Sequence, residues 1–185
     1  MTHALSIGGT GMLTVATSWL DGHFEHLSVI GRDKRKAHEL IKNHKSQFTF
    51  HEVDYQDTEK LINTIEQIHT RAPFDYIIAW VHSGTAPDAL PSVLTTIEQH
   101  QHIPYRLFHI KGSTHALKNN PLPVPANCLY REVILGFQYN GAHSRWLTHS
   151  EISKGVIAAI QEDAESTIIG VLSPWEKRPH YRKNH

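Results

Sequence analysis

The sequence predicts an α/β fold: a doubly wound, mostly parallel sheet of six to seven strands with helices on both faces. Three observations predict it. Short apolar runs alternate with segments of helical periodicity through most of the chain, and such alternation builds parallel sheets with right-handed crossovers. The run Tyr76-Ile77-Ile78-Ala79-Trp80-Val81 is almost wholly apolar, as a strand covered on both faces must be. The first apolar run, Ala4-Leu5-Ser6-Ile7, leads through Gly8-Gly9-Thr10-Gly11 into the helix-like segment Met12 to Leu20. Strand, tight glycine turn and helix in that order open a Rossmann-like unit, where a pyrophosphate approaches bare backbone N–H groups at a positively polarised helix end.

The elements follow in order. Strand 4–9 and helix 11–21 form the first unit. Strand 27–30 ends at Gly31-Arg32-Asp33 and precedes a helix over 33–44, with Ala37, Leu40 and Ile41 on one face. Strand 48–53 precedes helix 58–70, where Leu61, Ile62, Ile65 and Ile68 recur at helical spacing and Asp57 or Thr58 stands at the cap. Strand 76–81, helix 86–101 and strand 106–110 come next. Pro121, Pro123 and Pro125 make 118–127 a loop. One long strand is expected over 129–139, then a helix over 148–162 capped by Thr148 or Ser150, and a last strand over 167–172. Residues 1–176 read as one domain and 177–185 as a basic C-terminal tail.

Composition narrows the function classes. The chain has 185 residues, with 18 Lys plus Arg against 18 Asp plus Glu. A zero formal charge supplies no basic field for nucleic acid or a membrane surface. The sixteen histidines are scattered, with no metal-ligand spacing, so no metal site is expected. Cys128 is the single cysteine, which suits a reducing compartment. No apolar run reaches membrane-spanning length, and the N-terminus lacks a secretion-signal pattern. The expectation is a soluble cytoplasmic protein.

In doubly wound sheets, ligands bind beyond the carboxyl ends of the strands, so those ends carry the candidate site. After the first strand come Gly8, Gly9, Thr10, Gly11, Met12 and Leu13, whose backbone faces a diphosphate. After the second comes Arg32, with Arg35 one turn on. A cation there suits a 2′-phosphate, so NADP(H) is expected over NAD(H). After the third, Asp54 is placed to accept from an adenine amino group or to cap the next helix, and Tyr55 to cover the ring. Ala79, Trp80 and Val81 at the end of the fourth strand complete the cofactor set. His82 follows them, and Ser113 and His115 follow the fifth strand. These three are the candidate catalytic groups, with Lys111 and Tyr130 more remote.

With Gly8-Gly9-Thr10-Gly11, Gly31-Arg32-Asp33, Asp54, the segment Ala79 to Gly84, Gly136-Phe137 and the helix start Thr148-His149-Ser150-Glu151-Ile152, the chain resembles the short-chain dehydrogenase/reductase superfamily over residues 3–172, in an atypical, shortened form. The resemblance implies that Gly8, Thr10, Gly11, Leu13, Arg32, Asp54 and Ala79 hold a dinucleotide. It also exposes two departures. Thr14 stands where a full glycine fingerprint has a third glycine. The family's Tyr-x-x-x-Lys pair, in which the tyrosine moves a proton and the lysine lowers its pKa, has no counterpart: Tyr55, Tyr105, Tyr130 and Tyr139 are followed at the fourth position by Glu59, His109, Ile134 and His143.

The expected function is therefore NADP(H) binding with oxidoreductase chemistry on an unidentified small substrate, using rearranged acid and base groups. A non-catalytic NADP(H)-binding sensor or partner-binding module is the alternative, and loss of cofactor binding altogether is the third reading. A homodimer or homotetramer is compatible with an exposed sheet edge.

Overall fold

The computed structural model describes residues 2–41, 47–116 and 122–180. The strands are β1 (His3–Ile7), β2 (His26–Gly31), β3 (Gln47–Glu52), β4 (Tyr76–Trp80), β5 (Tyr105–Gly112), β6 (Cys128–Leu135), β7 (Phe137–Tyr139), β8 (Ser144–Trp146) and β9 (Ser166–Ile169). The helices are α1 (Thr14–Asp21), α2 (Lys34–Ile41), α3 (Thr58–His69), α4 (Ala89–His100), α5 (Ser113–Ala116) and α6 (His149–Glu162). Seven strands form one sheet in the order β3-β2-β1-β4-β5-β6-β9, and every pairing within it is parallel. The order reverses between β1 and β4, so the switch point lies beside the glycine turn.

Period-two alternation feeds two cores. On one face Leu5 and Ile7 of β1, Ile77 and Ala79 of β4, and Tyr105 and Leu107 of β5 pack on Leu61, Ile65 and Ile68 of α3 and Val93, Leu94 and Ile97 of α4. On the other, Ala4, Ile78, Phe108 and Ile110 pack on Leu13, Ala16 and Leu20 around α1 and on Ile152, Val156, Ala159 and Ile160 of α6. Strands apolar on both sides follow directly from this two-faced burial.

Local chemistry sets the helix ends. Asp33 caps α2 by accepting from the backbone N–H of Arg35 at 2.9 Å. Asp57, not Asp54, caps α3, accepting from Lys60 N–H at 3.0 Å. Thr148 and Glu151 form a reciprocal capping box at the start of α6, so Thr148 rather than Ser150 is the cap.

The long strand expected over 129–139 is broken. Gly136 separates β6 from β7, and its N–H bonds to Ile169 O at 2.9 Å. Beyond it the chain leaves the sheet and β7 pairs antiparallel with β8. Helix α4 begins at Ala89, three residues after its expected start, because Thr85 and Ala86 first turn back onto the His82 carbonyl. The helix expected over 33–44 is described only to Ile41, and Pro121 of the proline-rich loop also lies outside the described residues. A short 3-10 turn, Trp175–Lys177, crosses the boundary drawn at 176, and the Arg178 guanidinium lies over the Trp175 ring at 4.3 Å. Residues 181–185 lie outside the described residues. No described helix is long and apolar enough to cross a membrane.

Candidate functional site

Two cavities lie at the carboxyl ends of the strands. The first, about 520 Å³, runs from the glycine turn (Gly8, Thr10, Gly11) to the end of β2 (Arg32, Lys36), with Tyr55 also lining it. The second, about 550 Å³, lies over the ends of β4, β5 and β6 and reaches the start of α6. Met12, Trp80 and His82 line both, so the two form one continuous depression around the switch point. Ser153 of α6 fixes the wall between them by donating to Met12 O at 2.9 Å.

The three glycines of the turn do three different things. Gly8 has φ +74°, and a Cβ there would stand 2.4 Å from the Trp80 carbonyl oxygen. Only glycine meets both conditions. Gly9 is buried against the base of α1. A Cβ there would lie 2.0 Å from Ser6 Oγ and 2.4 Å from Thr17 Oγ1, two hydroxyls bonded to each other at 2.9 Å. Gly9 therefore lets helix and strand close together, and its side is turned from the cavity. At Gly11 a Cβ would meet no protein atom within 4 Å. The fold does not require glycine there, whereas a ligand backbone lying on the turn does.

The turn also offers unpaired donors. Among the described residues, the backbone N–H groups of Thr10, Gly11, Met12 and Leu13 donate to no protein acceptor, while Gly8 N–H is used by Ile30 O at 3.0 Å. Helix α1 carries no acidic side chain in its first turn to offset its positive end, and Asp33, just after β2, is the one acidic residue among the described lining of the same cavity. Thr14, in the place of a third glycine, turns its hydroxyl back onto Gly11 O. The donor set and the open wall at Gly11 fit a dinucleotide diphosphate.

The cation site differs from the expected one in one residue. Arg32 and Lys36 line the first cavity. Arg35 does not: its side chain is 92% exposed and pairs at 3.6 Å with Asp33. On a helix starting at Lys34, Lys36 turns to the cavity and Arg35 away from it. Arg32 lies 3.9 Å from Asp54. The Asp54 carboxylate also accepts from Gln56 N–H at 3.0 Å, and it does not line the cavity. The side chains of Leu13 and Ala79 are buried in the cores, and Val81 lines only the second cavity.

Of the candidate catalytic groups, Ser113 and His82 meet at the second cavity. Ser113 opens α5 and is buried. His82 is exposed, and its ring stands edge-on to Trp80 at 5.0 Å. His115 belongs to α5, but its side chain lies outside the described residues. Lys111 lines the cavity and is ion-paired with Glu132. Hydrogen bonds from Lys111 and Ser166 hold the Glu132 carboxyl below its ordinary range against the opposing effect of burial.

Sequence reading missed His109 and Trp146, which also line this cavity. His109 Nδ1 is 3.0 Å from Tyr130 Oη, and burial, reinforced by Glu132, pushes the Tyr130 phenol up to about 12. His109 shares strand parity with Lys111, and a polar residue in the interior of β5 is its visible signal. Among the described residues no cluster of three His, Cys, Asp or Glu is arranged for a metal ion.

No protein-family model matches the sequence, and no curated protein matches it. Many solved structures do match in fold. A short-chain dehydrogenase/reductase from Vibrio parahaemolyticus superposes with a TM-score of 0.70 at 9% identity, over 90% of this chain and 98% of that one. The bulky-bulky ketone specific alcohol dehydrogenase from Comamonas testosteroni gives 0.68 at 11% identity, over 95% and 89%. An NAD+-bound xylitol dehydrogenase gives 0.65 at 12% identity, over 91% and 97%. The chain thus has the fold of the short-chain dehydrogenase/reductase structures. At such identities, the fold is what they share.

Proposed function

We propose that the chain binds NADP(H) in preference to NAD(H) and works as an oxidoreductase on a small substrate held in the second cavity. The observation that carries this reading is the continuity of the two cavities through Met12, Trp80 and His82. A dinucleotide seated on the glycine turn has a route to the ends of β4 and β5. The N–H groups of residues 10–13 hold its diphosphate. Arg32 and Lys36 hold the 2′-phosphate, and Tyr55 flanks the adenine side. When bound, the coenzyme supplies hydride-transfer chemistry. The protein's part is to orient the reacting carbonyl and move a proton to its oxygen, and Ser113, His82 and His115 are the groups assigned to that task. The fold neighbours include an NAD+-bound enzyme, which supports a nicotinamide coenzyme without deciding its phosphate. We read residues 1–176 as one cytoplasmic domain that self-associates as a dimer or tetramer.

Calorimetry with NADPH and NADH tests the reading. NADPH is expected to bind at least about tenfold more tightly, a difference of ~1.4 kcal/mol. Arg32→Ala and Lys36→Ala should each erode that preference, and Arg35→Ala should leave it intact. Equal affinities in the wild type, or no binding of either coenzyme, would overturn the assignment.

A second reading, a coenzyme-binding module without turnover, is favoured by one observation. Where the resemblance places a long helix with a Tyr-x-x-x-Lys pair, the described chain has the single turn of α5, Ser113–Ala116. NADPH binding with no oxidation across a broad panel of aldehydes, ketones and enones would select it.

A further inference from the structure

The second cavity has two unlike walls. One is polar and is built from the ends of β4 and β5 and the start of α5: His82, Ser83, His109, Lys111, Ser113 and Thr114. The other is apolar and comes from β6, β8 and α6: Leu135, Trp146, Leu147 and Ile152. No aspartate or glutamate is among the described lining residues. Among the described lining residues, Lys111 is the one that carries a permanent charge, and its side chain is only 16% exposed. Glu132 stands behind it on the neighbouring strand, outside the lining, and also accepts from Ser166 Oγ at 3.0 Å. An ammonium has three N–H donors, and Glu132 fixes its position by taking one. The same polar wall adds the Ser113 and Thr114 hydroxyls and the His109 imidazole, whose ring is held by Tyr130.

A ligand complementary to these walls has an apolar body and an acceptor-rich, anionic head. A neutral carbonyl would accept a hydrogen bond from the partly buried ammonium, whereas a carboxylate adds a full opposite charge to that bond. A cationic head would meet the ammonium, whose partner Glu132 stands outside the lining. We infer that the second cavity binds a carboxylate carrying an aryl or alkyl body, with the carboxylate against Lys111 and Ser113 and the body along Leu135, Trp146, Leu147 and Ile152. Under the proposed function, the substrate class becomes an oxo-acid or hydroxy-acid of that shape. The inference rests on that reading only for the word substrate; the binding preference stands on the cavity alone.

The test is a matched pair of probes, 4-phenylbutyrate and its neutral amide 4-phenylbutyramide, titrated against the full chain with tryptophan fluorescence as the readout. Trp80 and Trp146 both line the cavity and report occupancy. The carboxylate is expected to bind about tenfold more tightly than the amide. Lys111→Met should abolish the preference, and Lys111→Arg should restore most of it. Far-UV circular dichroism checks that each variant folds, and the wild-type pair alone decides the matter if Lys111→Met does not. Equal binding of acid and amide, a preference that survives Lys111→Met, or binding of neither probe at about 10 mM would overturn the inference. Calorimetry of NADPH on the same samples separates the two claims. Carboxylate binding without coenzyme binding sinks the proposed function alone, and coenzyme binding without carboxylate preference sinks this inference alone.

Discussion

The two halves of the depression offer different groups. The first cavity offers mostly backbone: free N–H groups of residues 10–13, a helix whose first turn has no acidic residue, and glycines that keep side chains away. The second offers side chains: Lys111 and His109 from β5, Ser113 from α5 and Trp146 from β8. Backbone recognition demands a local pattern of small residues, so it is written contiguously in the sequence. Side-chain recognition assembles residues from separate strands, and any one of them looks like an ordinary strand or loop residue until the sheet brings it to the others.

The glycine turn gives the sharpest way to break this comparison, because its three glycines should fail differently. Gly8→Ala combines a left-handed backbone with a clash against a carbonyl oxygen that cannot swing away, and should cost about 3 kcal/mol or more in urea unfolding. Gly9→Ala forces a methyl between Ser6 and Thr17 and should cost ~1–3 kcal/mol, as overpacked sites do. Gly11→Ala should change stability by no more than about 0.5 kcal/mol and yet weaken NADPH binding by about tenfold or more. Equal stability losses at Gly8 and Gly11 would mean that the turn is only a connection between strand and helix.

Legibility follows the same division. The parallel alternation, the glycine turn and Arg32 could be read from neighbouring residues. The exchange of Arg35 for Lys36 could not, because it depends on where α2 begins, and Asp33 sets that start through its cap on Arg35 N–H. The β7–β8 hairpin carries a signal of its own. Asn140-Gly141 is a strong turn signal; Gly141 has φ +91°, and Asn140 Oδ1 accepts from His143 N–H at 2.8 Å. The apolar continuity of 129–139 concealed it, since nothing local marks Gly136 as the point where the chain leaves the sheet. His109 stands before the strand end, and its place as a lining residue depends on the parity of β5 and on the short α5 beyond it.

A pH experiment probes the end of the sheet opposite both halves. At the amino end of β1, His3 is buried, with Nδ1 3.1 Å from Ala72 O and Nε2 2.9 Å from Ser28 Oγ. Burial holds its pKa below the ordinary histidine value, with the Ala72 carbonyl opposing. Burial does the same to His51, assisted by Arg71 and His3. Both rings bind protons more weakly folded than unfolded, so their contribution to stability is full above the ordinary histidine value and is lost as pH falls through the folded one. The unfolding midpoint should therefore drop between about pH 7 and pH 5, and His3→Gln should flatten that slope. A slope unchanged in His3→Gln would place the acid sensitivity elsewhere.

The smallest expected effect belongs to the second half and tests whether its apolar wall is rigid. Leu147, His149 and Ile152 reach the cavity from the start of α6, so the cap of that helix positions the wall. Thr148 Oγ1 accepts from Glu151 N–H at 3.2 Å, and the Glu151 carboxylate accepts in turn from Thr148 N–H at 2.8 Å. Two hydrogen bonds from Arg145, in the middle of β8, hold the same carboxylate and, with the Thr148 N–H, bring its pKa to about 2. The hairpin is thus tied to the helix start, and through it Trp146 is tied to Leu147. Thr148→Ala should cost ~1 kcal/mol of stability, as lost N-caps do, and should weaken 4-phenylbutyrate binding while NADPH binding stays within error. A parallel loss of both ligands would mean that α6 acts on the glycine turn instead, through the Ser153 bond to Met12 O, and that the two cavities are mechanically a single site.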